Sequence, residues 1–293
     1  MTLSTPQLLV AGAAVLYAFS ALLVKRASDL GAGAWRTAFV SNVIIAIMFQ
    51  PLLALGGVVH PELWWQPLIV AVCFILGQWL TFVSLDRGDV SVATPMLGLK
   101  ILLVAAFVAL SGGESLKPKL WAAAALATAG IGLLNRRSGA AQHHHVTFTI
   151  CTAGMAAAAF ALFDVLVQRW SPVWGLGRFL PVTLGCAGLL SFGFIPRFSA
   201  PLSALPKPAW PWLVGGALAM GGQSVIFVST IANWGNAAQS NVIYASRGLW
   251  SVVLVWTCGR WVQNREAQQG AGLLAWRLAG AALMMSAIVL VLV

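Results

Sequence analysis

Gly77-Gln78-Trp79-Leu80-Thr81-Phe82-Val83-Ser84 returns 145 positions later as Gly222-Gln223-Ser224-Val225-Ile226-Phe227-Val228-Ser229. Each copy sits inside an apolar run of about 20 residues, the length that crosses a bilayer as a helix. The match sets a register for the rest of the chain. Gly88-Asp89 aligns with Gly235-Asn236, 147 positions apart, and at that spacing Lys100 falls on Arg247. Gly12 and Gly154 open similar first helices, and Arg36 matches Arg178 in the second. The sequence reads as a unit, residues 1–137, repeated at 147–293 and joined by a connecting loop at 138–146. Each unit holds five apolar runs, an odd number, so the second copy enters the membrane in the opposite orientation. Inverted repeats of this kind mark secondary transporters, with substrate sites near the bilayer midplane between the halves.

The ten runs are 6–24, 36–56, 66–85, 90–110, 119–135, 147–168, 177–196, 209–231, 237–259 and 274–293. They predict an all-α polytopic membrane protein, ten transmembrane helices around a central cavity. Composition points the same way. Hydrophobic residues make up 60% of the 293, charged residues 8%, and the mean hydropathy is +0.88. A soluble domain carries roughly 25% charged residues; 17 bases and 7 acids cannot coat a globule of this length. Four cysteines exclude a disulfide scaffold. Alternating strands of an outer-membrane barrel are absent. The net charge of +10 is scattered in ones and twos, which argues against a nucleic-acid partner.

Prolines punctuate the runs: Pro51, Pro61, Pro67, Pro118, Pro172, Pro196, Pro206, Pro208 and Pro211 fall at or near helix ends. Pro95 and Pro181 fall inside helices, where they kink or loosen the backbone. Trp64, Trp65, Trp121, Trp170, Trp174, Trp210, Trp212, Trp261 and Trp276 fall near predicted interfaces, as an aromatic belt does. No secretory signal peptide is read at the N-terminus, because the charges Lys25 and Arg26 follow the first run rather than precede it. Loops after odd-numbered helices hold eleven Lys and Arg, and the other side holds four. The positive-inside rule then puts both termini outside.

Ten helices, a five-plus-five inverted repeat, Gly113-Glu114 in a short loop between the fourth and fifth helices, and Gly130-Ile131-Gly132 in the fifth resemble the drug/metabolite transporter superfamily. The EamA-like ten-helix exporters are the most similar group, and within it the bacterial aromatic amino-acid exporters. The resemblance covers the whole chain. It implies an exporter of amino acids, aromatic or other neutral ones, in a bacterial inner membrane. It departs from the family pattern at Arg265-Glu266, where Gly-Glu is common, and at Lys100, in a helix that is often uncharged. Small multidrug members of the superfamily carry a proton-coupling Glu in helix 1; this helix has no acid and offers Tyr17 instead. Weak coupling or facilitated diffusion is the expectation.

An ionisable residue at the bilayer centre is expensive and therefore a functional candidate. Lys100 is the midpoint of the fourth run and Arg247 lies close to that of the ninth. As repeat equivalents they lie symmetrically about the cavity. Two cations there suit an anionic group such as a carboxylate; alternatively each bonds to unwound backbone carbonyls or to a neighbouring side chain and stiffens its own half. Asp164 in the sixth run is a counter-ion to one of them, a proton site, or a residue facing water, and a structural ion pair is the favoured reading. Gln78 and Gln223, with Trp79 and Ser224 beside them, are cavity candidates or interhelical hydrogen bonds. Ser240, Tyr244, Arg247 and Ser251 share one face at helical spacing. Met96 lies one turn from Lys100, and Phe160, Phe163 and Asp164 lie within one turn of each other. Dense small residues, Ala122 to Ala125, Ala156 to Ala159, Gly215-Gly216 and Gly221-Gly222, allow close helix approach.

His143-His144-His145 reads as a solvated linker, and the scattered cysteines as small apolar residues, so no metal or cofactor is expected. An intramembrane enzyme needs a dyad, a paired carboxylate or a metal motif at midplane depth, and none is legible. A channel needs a filter signature, also absent. The expected partners are a small-molecule substrate and the lipid bilayer, with the protein a monomer. The alternative substrate class is phosphorylated or nucleotide-linked metabolites, which also engage midplane Lys and Arg.

Overall fold

The computed structural model describes residues 4–87, 90–111, 117–134, 146–258 and 271–292. Gly88-Asp89, Gly113-Glu114, Arg136, Arg137, His143 to His145, Arg260, Trp261 and Arg265-Glu266 lie outside them. Among the described residues the regular elements are all helical: α1 Thr5–Asp29, α2 Ala34–Phe49, α3 Trp65–Arg87, α4 Val90–Gly98, α5 Lys100–Leu110, α6 Pro118–Leu134, α7 Val146–Trp174, α8 Leu176–Leu190, α9 Trp210–Trp234, α10 Ala237–Tyr244, α11 Arg247–Cys258 and α12 Ala271–Leu292. Among the described residues, six stretches, at 5–29, 34–55, 61–87, 146–174, 176–197 and 207–234, are long and apolar enough to cross a membrane. The chain is a multi-pass membrane protein.

Two expected helices are each divided. The run 90–110 breaks at Leu99, whose N–H donates to the Met96 carbonyl three residues back. Pro95, with no N–H to give, removes a helical bond one turn upstream. The carbonyl of Gly98 accepts instead from Thr128 Oγ1 of α6, at 3.4 Å. The run 237–259 breaks at Ala245-Ser246, where Ser246 donates to Ile243 and Gly248 to Ala245. No proline stands there. Both breaks fall inside long apolar runs, so run length could not locate them.

The sixth run extends beyond its expected end at 168 to Trp174. Tertiary contact holds this last turn. Trp174, expected in an interfacial belt, is fully buried. Its Nε1 donates to Gln66 Oε1 at 3.0 Å, and its ring meets Trp64, His60 and Phe179. Trp64, Trp65, Trp121 and Trp276 keep exposed faces.

Helix packing is dominated by α1 on α9, α3 on α7 and α6 on α12, with α2 set against α8 and α9. The small residues sit at these contacts: Ala123, Ala124, Ala156 and Ala157 are fully buried, and a Cβ on Gly216 would meet Val24 of α1 at 2.9 Å. Gly33 and Gly175 precede α2 and α8 with φ of 70° and 77°, left-handed values that favour glycine. Arg36 is buried at the α1–α2 turn, donating to the carbonyls of Ala32 and Gly31 and to Ser199 Oγ.

Candidate functional site

The break between α10 and α11 builds one side of the site. Its turn is bonded three residues back, and at that pitch residues i and i+3 eclipse. Tyr244 and Arg247 stand in that relation. The Arg247 guanidinium carbon lies 4.6 Å from the Tyr244 ring centroid and 5.0 Å from that of Tyr17 on α1. The two tyrosines meet edge to face at 5.9 Å. The other face of Tyr244 stacks on Phe227 of α9 at 4.2 Å. Tyr244 OH donates to Gln223 Oε1 at 2.5 Å, and Gln223 Nε2 donates to Ser224 Oγ at 2.8 Å. Gln223 and Phe227, four apart on α9, share the face turned to α10.

The other side is ionic. Lys100 Nζ, at the start of α5, lies 2.8 Å from Asp164 Oδ2 of α7. Asn241 of α10 donates to the same oxygen at 2.7 Å and to the Ala237 carbonyl at 2.9 Å. One turn along α7, Gln168 accepts the Ala237 N–H at 2.9 Å. The pairs 164/168 and 237/241 have matched helical spacing, so α7 clamps α10 at two points. Asp164 is 1% exposed and Asn241 3%. Lys100 Nζ also stands 5.7 Å from the Phe227 ring and 6.0 Å from Phe160, within cation–π reach. The cluster therefore runs without interruption from Asp164 and Lys100 through Phe227 and Tyr244 to Arg247. Among the described residues, Arg247 pairs with no carboxylate.

Of the residues singled out in the sequence, Lys100, Asp164, Phe160, Tyr17, Tyr244, Arg247 and Gln223 meet here. Gln78 stands apart, exchanging amide hydrogen bonds of 2.9 Å with Asn42 of α2. Phe163 packs on Phe74 of α3 at 5.2 Å, and Met96 reaches toward Gly154 of α7. Trp79 is 43% exposed on a stripe with Leu68, Val72 and Leu76, the outer face of α3. Asn241 and Phe227 were not read from the sequence as site residues. Asn241 had a legible signal, three residues before Tyr244 on the same run; Phe227 appeared only as part of the repeat. A cavity of about 540 Å³ lies elsewhere, among Leu9, Leu52, Leu55, Leu176, Ile226 and Asn233, and none of the ionic residues lines it.

One of the comparisons with known proteins bears on the first half of the chain. Residues 5–136 match the EamA-like transporter family. The EamA-like segment takes in α1 to α6 and contributes Tyr17 and Lys100 to the cluster. A solved chain described only as the crystal structure of a protein superposes on all of this chain and on 99% of itself, with a TM-score of 0.79 at 19% identity, a likeness of fold. No curated protein matches the sequence.

Proposed function

We propose that this chain is a transporter, not an enzyme, which exports amino acids, aromatic or other neutral ones, by alternating access across a bacterial inner membrane. The observation that carries the reading is Arg247. Its guanidinium is held between two tyrosine rings, with no carboxylate partner among the described residues. It opens α11, the end of a helix where the backbone dipole is positive. Partial burial of that charge is tolerable if a substrate carboxylate completes it, and a planar fork suits a carboxylate bidentately. The EamA-like match supports transport, and breaks at repeat-equivalent places, before Lys100 and before Arg247, support two inverted five-helix halves at 1–137 and 147–293. Discontinuous helices at midplane depth are a device of secondary transporters. Lys100 is already neutralised by Asp164. A single site cation without a carboxylate partner among the described residues matches a monoanionic carboxylate better than a phosphate dianion, which favours amino acids over phosphorylated metabolites. The absence of an acid in the first run before Asp29 fits weak coupling or facilitated diffusion.

Uptake into proteoliposomes, competed by a panel of amino acids and phosphate esters, tests the reading. Arg247→Ala and Arg247→Lys should fold and lose amino-acid transport by about 10- to 100-fold, the worth of a charge-assisted bidentate bond. Wild-type rates in both folded variants, or competition by phosphate esters alone, refute it.

A further inference from the structure

We propose that Lys100 is a built-in stand-in for the substrate's ammonium group, seated in the empty transporter on the Asp164–Asn241 subsite that a zwitterionic amino acid's α-ammonium takes over during transport. The proposal rests on the reading of Arg247 as the carboxylate ligand.

The surroundings of Lys100 Nζ are those of an ammonium-binding site. A carboxylate oxygen accepts from it at 2.8 Å, and aromatic faces stand 5.7 and 6.0 Å away. Such a carboxylate-and-aromatic setting recognises any primary ammonium, whether on a lysine stem or on a ligand. The subsite does not depend on Lys100 for its shape. Asn241 donates to the same Asp164 oxygen at 2.7 Å, and Gln168 ties α10 to α7 one turn away. Lys100 is also the more accessible partner: its side chain is 17% exposed against 2% for Asp164. An incoming ammonium can therefore take the fixed carboxylate while the lysine stem swings toward the open side.

The position of Arg247 gives the exchange its selectivity. It lies over the Tyr244 ring, and Lys100 lies near the Phe227 ring stacked on it, so the two charged ends of a zwitterion meet opposite charges beside one aromatic pair. The ligand adds no net charge, so displacing Lys100 leaves the total unchanged. A carboxylate without an ammonium cannot displace Lys100. An amine without a carboxylate leaves Arg247 unmatched.

Binding of phenylalanine, N-acetylphenylalanine and phenylalanine amide to purified protein tests this in the wild type, Lys100→Met and Lys100→Met/Asp164→Asn. Lys100→Met removes the competitor and should tighten phenylalanine binding about tenfold, the worth of one charge-assisted hydrogen bond, with N-acetylphenylalanine unchanged. The double variant removes the buried charge as well, so it remains informative if the single variant does not fold. It should bind phenylalanine and its N-acetyl derivative alike. Weaker binding of both ligands by Lys100→Met would assign Lys100 to the carboxylate instead and overturn the proposal, as would an undiminished preference for the free ammonium in the double variant. Failure of folded wild-type protein to bind any of the three ligands overturns the amino-acid reading and this proposal with it. An unchanged ligand ratio in the variants overturns this proposal alone.

Discussion

Tyr244 makes four contacts at once: its hydroxyl bonds Gln223, one ring face stacks on Phe227, the other meets Arg247, and the ring meets Tyr17 edge to face. Two substitutions separate hydroxyl from ring. Tyr244→Phe keeps the ring contacts and strips Gln223, 5% exposed, of a hydrogen-bond donor. An unsatisfied buried acceptor costs about 1–3 kcal/mol. The melting temperature should fall while preference for a free carboxylate survives. Tyr244→Ala should lose that preference too, since Arg247 then has no stacked ring on its α10 side. If Tyr244→Phe abolishes carboxylate preference in well-folded protein, the hydroxyl, not the ring, governs Arg247. The ionisable members of this cluster were legible in the sequence because charge inside an apolar run stands out. Asp164 was found on that ground alone. Phe227 was not, because an aromatic ring in a membrane helix is ordinary until its partner is known, and Asn241 showed only its spacing from Tyr244. Trp79 was named for its neighbour Gln78, yet a residue next in sequence points about 100° away on a helix.

At the scale of elements, run length found the helices but not their breaks. The turn at Ala245-Ser246 follows the segment that α7 grips through Gln168 and Asp164, and no proline or run end marks it. Small residues were legible as packing positions, although not how closely each is met. Gly130 of α6 is met by both side chain and backbone of another helix. A Cβ there would lie 2.6 Å from Met284 Cγ and 2.9 Å from the Gly280 carbonyl of α12. Backbone cannot yield as a flexible side chain can, so Gly130→Ala should force α6 from α12 at a cost of about 1–3 kcal/mol. Gly12 of α1 provides the contrast, with nothing within 4 Å of an added Cβ. Gly12→Ala should be neutral or stabilise by up to about 1 kcal/mol, because alanine is the better helix former. Thermal melts of the two detergent-solubilised variants should therefore separate, Gly130→Ala melting lower and Gly12→Ala unchanged or higher, and an equal drop in both would contradict the α6–α12 geometry.

At the scale of the whole molecule, the question is which side of the membrane each end faces. The charge count of eleven against four includes Arg36 and Arg178, one on each side. Arg36 spends its guanidinium inside the protein, on Ala32, Gly31 and Ser199, and the Arg178 side chain packs beside Gly57. Neither is a free loop charge, and discounting both leaves the asymmetry in place. The contacts also sort the loops. Arg36 to Ser199 joins the turn after α1 to the segment after α8, and the Val58 N–H to the Trp174 carbonyl, at 2.9 Å, joins the segment after α2 to the end of α7. Loops counted as inside thus meet at one end of the bundle and loops counted as outside at the other. Lys25, Arg26, Arg197 and Lys207 belong to the first group, Glu62 and Arg169 to the second. Short loops obey the positive-inside rule most strictly. A C-terminal alkaline phosphatase fusion should therefore be active and a C-terminal green fluorescent protein fusion dark. An internal phosphatase fusion at 58–60 should be active, and one at 198–200 inactive. A bright fluorescent fusion with silent phosphatase at the C-terminus would reverse the orientation of the whole bundle. Activity at both internal sites would break the pairing of loops on which the assignment depends.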